Sequence, residues 1–316
     1  MKLANPKYNP MPEGVTAGVV KTSDRQKIRY ARWGATRHPA HGTVLLLHGR
    51  AEYIEKCYET VSDLREMGFD VLTFDWRGQG GSSRLLENQR RGYVDDFDQY
   101  TLDLDAIFEQ VALPDCLAPY YILAHSTGAL VALHSTPMLA NRIRRMVLSS
   151  PFLGVAGVKI SQPVLKFMSG FLTALGMGET YMAGGDTPDE NRPFLDNKLT
   201  SDTSRFERNL RFVEENRQLS IGGPTAAWLY AACRAMDRVA DPEFHNKIMI
   251  PTLLVAAGQD EVVSNSRIED LGRRLRSGST LTIHGAKHEL LQERDIYRQQ
   301  LLAAVKSFIP GENTPT

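Results

Sequence analysis

Short apolar runs return along the chain with amphipathic stretches between them, and this alternation restricts the fold more than any other feature. The runs occupy residues 43–47, 70–74, 120–123, 146–148, 252–255 and 280–283. These short apolar runs read as strands covered on both faces rather than strands with a wet side. Residues 54–67, 94–111, 126–139, 268–275 and 296–308 instead carry apolar side chains at helical spacing. In the second of these, Phe97, Thr101, Leu104, Ile107, Phe108 and Val111 fall in step. Strand and helix in turn predict an α/β fold: a mostly parallel sheet with helices on both faces. Residues 15–20 and 27–33 are expected to pair antiparallel at its edge.

The rhythm fails between Phe152 and about Asp241, where no buried-strand run occurs and the spacing becomes helical. At 316 residues and 42% hydrophobic, the chain has enough apolar side chains for one large core carrying an insertion. The expected organisation is a core built from 1–151 and 242–316, with a helical cap, 152–241, inserted between them. Val164, Leu165, Phe167, Met168, Phe171, Leu172 and Leu175 form one apolar stripe in the insertion, Phe206, Leu210 and Val213 a second, and residues 228–236 a third. Such stripes serve packing inside a small helical subdomain. On the first helix, where Met, Phe and Leu predominate and charges are few, the stripe also suits an apolar channel or a lipid surface, with Phe167, Met168 and Phe171 as the expected substrate contacts. Residues 181–201, broken by Gly184, Gly185, Pro188 and Pro193, read as an irregular, mobile rim.

Chemistry enters at the loops that follow the strands, since ligands of open parallel sheets gather at the carboxyl ends. After 120–123 comes Ala124-His125-Ser126-Thr127-Gly128. A serine at the apex of a sharp strand-to-helix turn exposes its Oγ to a base while the amides of the following helix face the same space. A helix N-cap serine is the plainer use of the same pattern. After 252–255 comes Gly258-Gln259-Asp260-Glu261, and after 280–283 comes Gly285-Ala286-Lys287-His288-Glu289. A nucleophile, an acid, then a histidine, each just past a strand, is the chain order in which this architecture assembles a serine triad. Ser126, Asp260 and His288 are therefore the predicted catalytic residues. His288 would exchange the Ser126 proton through Nε2, and Asp260 would fix the Nδ1 proton. Glu261 is the alternative acid. The oxyanion requires two donors, expected from the backbone N–H groups of Thr127 and of Arg50, which lies in His48-Gly49-Arg50 after the first run. The Arg50 side chain is assigned either a surface salt bridge or a lipid phosphate.

Asp75 heads Trp76-Arg77-Gly78-Gln79-Gly80-Gly81-Ser82. This reads as a tight loop held by the Asp side chain rather than a phosphate cradle, because it lacks GKT and Ser83 stands where GxGxxG needs glycine. His48 and His125 are expected to be structural. His284 and His288 cannot share a helical face across Gly285, and HExxH is absent, so neither a metal nor a cofactor is expected. Lys+Arg and Asp+Glu both number 37 and no basic stripe is present, which argues against nucleic acid as a partner. Cys57, Cys116 and Cys233 form no CxxC pair. Residues 1–13, with Pro6, Pro10 and Pro12, fit neither a signal peptide nor an anchor, so the expected compartment is the cytoplasm.

Leu47-His48-Gly49-Arg50 with residues 52–55, the 74–82 loop, the Ser126 turn, Gly258-Gln259-Asp260 and residues 285–289 resemble the α/β-hydrolases. More narrowly they resemble the bacterial lysophospholipases and the related monoacylglycerol lipases, over nearly the whole length. Leu199-Thr200-Ser201-Asp202 and Gly222-Gly223-Pro224-Thr225 with Trp228 resemble the lysophospholipase branch. The resemblance implies the same triad, the Arg50 and Thr127 amides as oxyanion donors, a helical cap over the site and no cofactor. Ala124 departs from the glycine usual in the family and adds one methyl group beside Ser126.

The implied reaction is attack of Ser126 on an ester carbonyl, an acyl-enzyme, and release of a fatty acid by water activated at His288. An apolar cap favours one long acyl chain, at about 0.8 kcal/mol per buried methylene. The expected substrate is a lysophospholipid; a monoacylglycerol or a general carboxylic ester would use the same pocket. Two rivals stand beside this reading. An S33-type aminopeptidase needs a cap acid to hold a free amine, with Asp186, Asp189 and Glu190 as candidates, and a binding protein that has lost turnover would lack a triad member. A lipid substrate implies transient contact with a membrane surface, peripheral to the inner membrane, while oligomeric state stays open.

Overall fold

The computed structural model describes residues 3–157, 160–186 and 193–309. Its sheet contains β1 (Thr16–Lys21), β2 (Lys27–Trp33), β3 (Thr43–Leu47), β4 (Asp70–Phe74), β5 (Tyr120–His125), β6 (Ile143–Ser149), β7 (Thr252–Ala257) and β8 (Gly278–Ile283). Their order across the sheet is β1-β2-β4-β3-β5-β6-β7-β8. The β1–β2 and β2–β4 pairs are antiparallel, and the pairs from β4 onward are parallel.

Successive side chains of a strand point to opposite faces, so a run that is apolar throughout must fill two cores. In β3, Leu45 and Leu47 enter one core with Phe74, Ile122, Leu148 and Leu254. Val44 and Leu46 enter the other with Val71, Leu123, Val147 and Val255. The first core is closed by α2 (Asp98–Ile107) and α3 (Thr127–His134), the second by α1 (Tyr58–Glu66) and α8 (Asp295–Phe308). Each such Leu or Val contributes about 1.5–3 kcal/mol by leaving water. The expectation of burial on both faces fails for β8. Leu281 is 37% exposed and Thr280 is exposed as well, because this terminal strand has a neighbour on one side only.

Between β6 and β7 lie α4 (Gln162–Ala174), α5 (Thr203–Glu215) and α6 (Ala226–Ala240); α7 (Asn265–Arg274) follows β7. Side chains mark two of these starts: Asp202 accepts from the Arg205 amide at 2.8 Å and Thr225 from the Trp228 amide at 3.3 Å. The stripe on α6 does not form a separate subdomain core. Trp228, Ala232, Ala235 and Met236 join the first core, and Trp228 Nε1 donates to the Tyr100 hydroxyl of α2 at 3.0 Å. Helix α5 is tied down by Phe212 stacked on Tyr53, ring centroids 4.9 Å apart, and by Arg205 and Arg208 paired with Glu59 of α1.

Helix α4 turns its bulky stripe the other way. Ser169 is buried, and a Cβ on Gly170 would stand 2.8 Å from the Tyr230 ring of α6, so small residues take the contact. Phe167, Met168 and Phe171 consequently face solvent, at 73%, 43% and 56% exposed. Within the irregular 181–201 stretch, Tyr181 bridges Thr225, and residues 187–192 lie outside the described residues.

Candidate active site

Ser126 closes β5 and opens α3 with φ 51° and ψ −115°. That left-handed φ costs a residue with a Cβ about 1–3 kcal/mol and persists only where the surroundings hold it. Here the Ser126 N–H donates to the Ser149 carbonyl at 3.0 Å, and the Ser126 carbonyl accepts from the Phe152 N–H at 3.1 Å. Gly128 lets α3 press onto the end of β3: a Cβ there would lie 2.5 Å from the His48 carbonyl oxygen and 2.7 Å from that of Leu47. Both are backbone atoms, so a larger residue would push the helix and its amides away from the site. Ala124 is fully buried on β5, paired with Leu47 and Leu148, so its extra methyl group is absorbed by the core.

His288 follows β8 and Asp260 follows β7. His288 Nε2 stands 3.1 Å from Ser126 Oγ, and its Nδ1 stands 2.8 Å from Asp260 Oδ2. The other carboxylate oxygen of Asp260 accepts from the amides of Val262 and Val263 at 2.8 and 2.9 Å. Burial alone would raise the Asp260 carboxyl, but the neighbouring imidazole and the two amides outweigh it and hold the group below the usual carboxylate range. Glu261 instead turns outward toward Lys198, 3.5 Å away.

The loop after β3 brings Arg50 to the same place. Ala51 adopts φ 61°, Glu52 accepts the Gly49 amide, and Asp75 accepts the Ile54 amide at 2.9 Å. Asp75 also accepts from the Gly81 amide and from Arg29 Nε, both at 2.6 Å, which makes it the clasp expected of its loop. His48 is structural as expected, with Nδ1 3.0 Å from the Gly49 carbonyl. The Arg50 guanidinium lies 5.1 Å from the Trp228 ring centroid and donates to the Gly222 carbonyl at 2.6 Å.

Arg50, Thr127, Ser126 and His288 all border one cavity of about 230 Å³. Its apolar side is Phe152, Val155, Leu199, Pro224, Trp228 and Val262; its polar side is Glu52, Lys56, His125 and Glu289. Phe167, Met168 and Phe171 do not line it, which corrects their expected place as substrate contacts: the small face of α4 packs inward and the large face does not. A wider cleft of about 660 Å³ between the N-terminal residues and the 80–84 loop contains none of the triad residues.

The polar side was not legible beforehand. Glu52 and Lys56 stand four residues apart, a spacing that reads as a solvated helical pair. Lys56 Nζ lies 3.2 Å from Glu52 and 2.8 Å from Glu289, whose position 233 residues along the chain completes the burial. Burial works against the Glu52 carboxylate, yet the Lys56 ammonium and the Gly49 amide help hold it down to about 2. For Glu289 burial prevails and raises the carboxyl. Burial also pushes His125 down to about 4, so its imidazole is neutral. His125 is thus part of the cavity wall rather than a loop support.

A mostly parallel sheet whose strained serine turn, acid and histidine follow successive strands in that chain order is the α/β-hydrolase fold. The chain belongs to the serine aminopeptidase S33 family, whose model matches residues 38–295. It is 33% identical over 267 residues to a probable lysophospholipase L2 of Haemophilus influenzae, covering 84% of this chain and 83% of that protein. It is 32% identical over 300 residues to lysophospholipase L2 of Escherichia coli, covering 92% of this chain and 86% of that protein. A soluble variant of the monoglyceride lipase of Saccharomyces cerevisiae, solved with a substrate analogue, superposes with a TM-score of 0.71 over 93% of this chain and 96% of that one, at 19% identity. No helix among the described residues is long and apolar enough to cross a membrane.

Proposed function

We propose that this chain is a serine hydrolase cleaving the carboxylic ester of single-chain lipids, lysophospholipids foremost. The observation that carries the proposal is the hydrogen-bonded line from Ser126 through His288 to Asp260, opening onto a cavity with one apolar and one polar side. Ser126 Oγ attacks the ester carbonyl carbon while its proton passes to His288 Nε2. The oxyanion accepts from the amides of Arg50 and Thr127, each contributing about 3–4 kcal/mol to the transition state. His288 then returns the proton to the departing alcohol oxygen, and a water deprotonated by the same nitrogen releases the fatty acid. Asp260, held ionised, stabilises the imidazolium as it forms. Phe152, Leu199, Pro224 and Trp228 receive the acyl chain. Residues 152–241 act as the cap, because Leu199, Pro224 and Trp228 reach the cavity from that segment.

Relatives named as lysophospholipase L2 favour a phospholipid head on the alcohol side; a monoacylglycerol would occupy the same cavity with a smaller polar end. The aminopeptidase reading finds less support. Asp186 accepts from the Tyr181 hydroxyl and does not border the cavity, Asp189 and Glu190 lie outside the described residues, and Glu52 and Glu289 both contact Lys56. Turnover of matched lysophosphatidylcholine, monoacylglycerol and an aminoacyl anilide is the test. Hydrolysis of the lipids and not the anilide is expected; hydrolysis of the anilide alone would replace an esterase with a peptidase.

The proposal extends to place. The exposed Phe167, Met168 and Phe171 form an apolar face with Val164 and Leu175, and residues 160–178 contain no acidic side chain, which suits transient docking of a cytoplasmic protein on the inner membrane. A double substitution, Phe167→Ser with Phe171→Ser, is expected to weaken partitioning onto phospholipid vesicles by at least about tenfold. Partitioning equal to that of the unaltered protein would remove this face from the interaction.

A further inference from the structure

Gln79 lies in the glycine-rich loop after β4, 3% exposed, between Gly78 at φ 80° and Gly80 at φ 54°. Left-handed residues on both sides turn the chain sharply and send this side chain inward. Among the described residues its amide serves the loop after β3 alone. Nε2 donates to the Gly49 carbonyl at 2.8 Å and lies 3.3 Å from the Glu52 carbonyl, while Oε1 accepts the Ala51 N–H at 3.4 Å. Two carbonyls and one N–H leave a single orientation for a side chain that carries one NH₂ group and one oxygen.

The Gly49 carbonyl decides where the next amide points. The Gly49–Arg50 peptide is trans and planar, with its N–H directed opposite its C=O. Gln79 does not border the cavity around Ser126, whereas Gly49, Arg50 and Ala51 do. A carbonyl turned to Gln79, away from the cavity, therefore turns the Arg50 N–H toward it. The distance is short as well: a Cβ on Gly49 would stand 3.3 Å from the Ser126 Cβ, so this peptide lies beside the nucleophile. His48 Nδ1 also meets the Gly49 carbonyl, at 3.0 Å, but from the adjoining residue of the same loop. Gln79 is the contact that ties the carbonyl to another part of the fold.

We infer that Gln79 is a positioning residue: by holding the Gly49 carbonyl it aims the Arg50 N–H at the oxyanion. This rests on the ester-hydrolase reading above, with Arg50 as one of the two donors. The loop after β4 then has two uses. Asp75 closes it, and Gln79 carries its rigidity to the site.

Losing an oxyanion donor outright costs about 100- to 1,000-fold in kcat. Gln79→Met keeps the length of the side chain but not its NH₂ group, so the Arg50 amide stays present and is misaimed. For a single-chain lipid ester, kcat per fluorophosphonate-labelled site is expected to fall roughly 10- to 100-fold, with KM changed by no more than about twofold. Two inhibitors separate aim from folding. With a trifluoromethyl ketone on the same acyl chain, Ser126 Oγ bonds to the carbonyl carbon, the π pair moves onto oxygen as an oxyanion, and the Ser126 proton passes to His288 Nε2. With the matching ether-linked lipid no oxyanion forms. Ketone affinity is expected to fall in step with kcat/KM while ether affinity stays; a general loosening of the site would weaken both. Where Gln79→Met does not fold, Gln79→Glu keeps the acceptor for Ala51 and sets an oxygen against the Gly49 carbonyl, and the same split is expected. Unchanged kcat in the folded variant, or equal losses of ketone and ether affinity, overturns the inference and leaves the esterase reading standing. An unaltered protein that neither hydrolyses the ester nor takes up the fluorophosphonate overturns both.

Discussion

Ser126→Ala is expected to lower turnover of a single-chain lipid ester about a millionfold and to abolish covalent labelling by a fluorophosphonate. The size of the effect follows from where the proton acceptor points. His288 Nε2 lies 3.1 Å from Ser126 Oγ, and the nearby hydroxyls of Ser149 and Ser150 are buried and do not border the cavity. Neither of these hydroxyls therefore inherits the base. Alanine keeps a Cβ at the φ of 51° that serine already tolerates, and the backbone bonds to Ser149 and Phe152 do not involve the hydroxyl. The protein should fold with a thermal midpoint near that of the unaltered chain. What remains is the contribution of the Arg50 and Thr127 amides and of binding in the cavity. Labelling that persists in the folded Ser126→Ala protein would move the nucleophile to another residue.

Asp260→Asn is expected to leave the fold intact and to reduce kcat about ten-thousandfold. The carboxylate has two distinct tasks: one oxygen accepts the Val262 and Val263 amides, and the other faces His288 Nδ1. In asparagine the carbonyl oxygen must stay with the two amides, because an NH₂ group there would confront two donors. The NH₂ group is then directed at Nδ1, which forces the proton of the imidazole onto Nε2. A protonated Nε2 cannot accept the proton of Ser126, and the charge that stabilised the imidazolium is gone as well. Steady-state rates beside a thermal melt separate this outcome from unfolding. Rates close to those of the unaltered protein would take Asp260 out of the relay.

Strand positions were readable because continuity of apolar residues is a local property, and a parallel sheet necessarily brings the carboxyl ends of its strands to one edge. That is why Ser126, Asp260 and His288, each placed just beyond a run, converge as anticipated. The same reasoning misjudged β8, whose run resembles the others although its place at the end of the sheet leaves Leu281 and Thr280 exposed. It also assigned Phe167, Met168 and Phe171 to the substrate. Periodicity locates a stripe on a helix but not the partner it meets, and on α4 the buried contact went to Ser169 and Gly170. The stripe on α6, equally apolar, was drawn into the main core by Phe97, Tyr100 and Phe152 around Trp228.

Order along the chain alone determined the alternation, its break after Phe152 and the places of Ser126, Asp260 and His288 just beyond their strands, since each depends on neighbours within a few positions. Tertiary structure decided which helical face is wet, that Trp228, Pro224 and Leu199 rather than α4 wall the cavity, and that Glu52, Lys56, His125 and Glu289 form its polar side. The physical reason is that burial and charge pairing are set by what packs against a residue. For Lys56 and Glu289 that partner lies 233 positions away, beyond the reach of any local pattern.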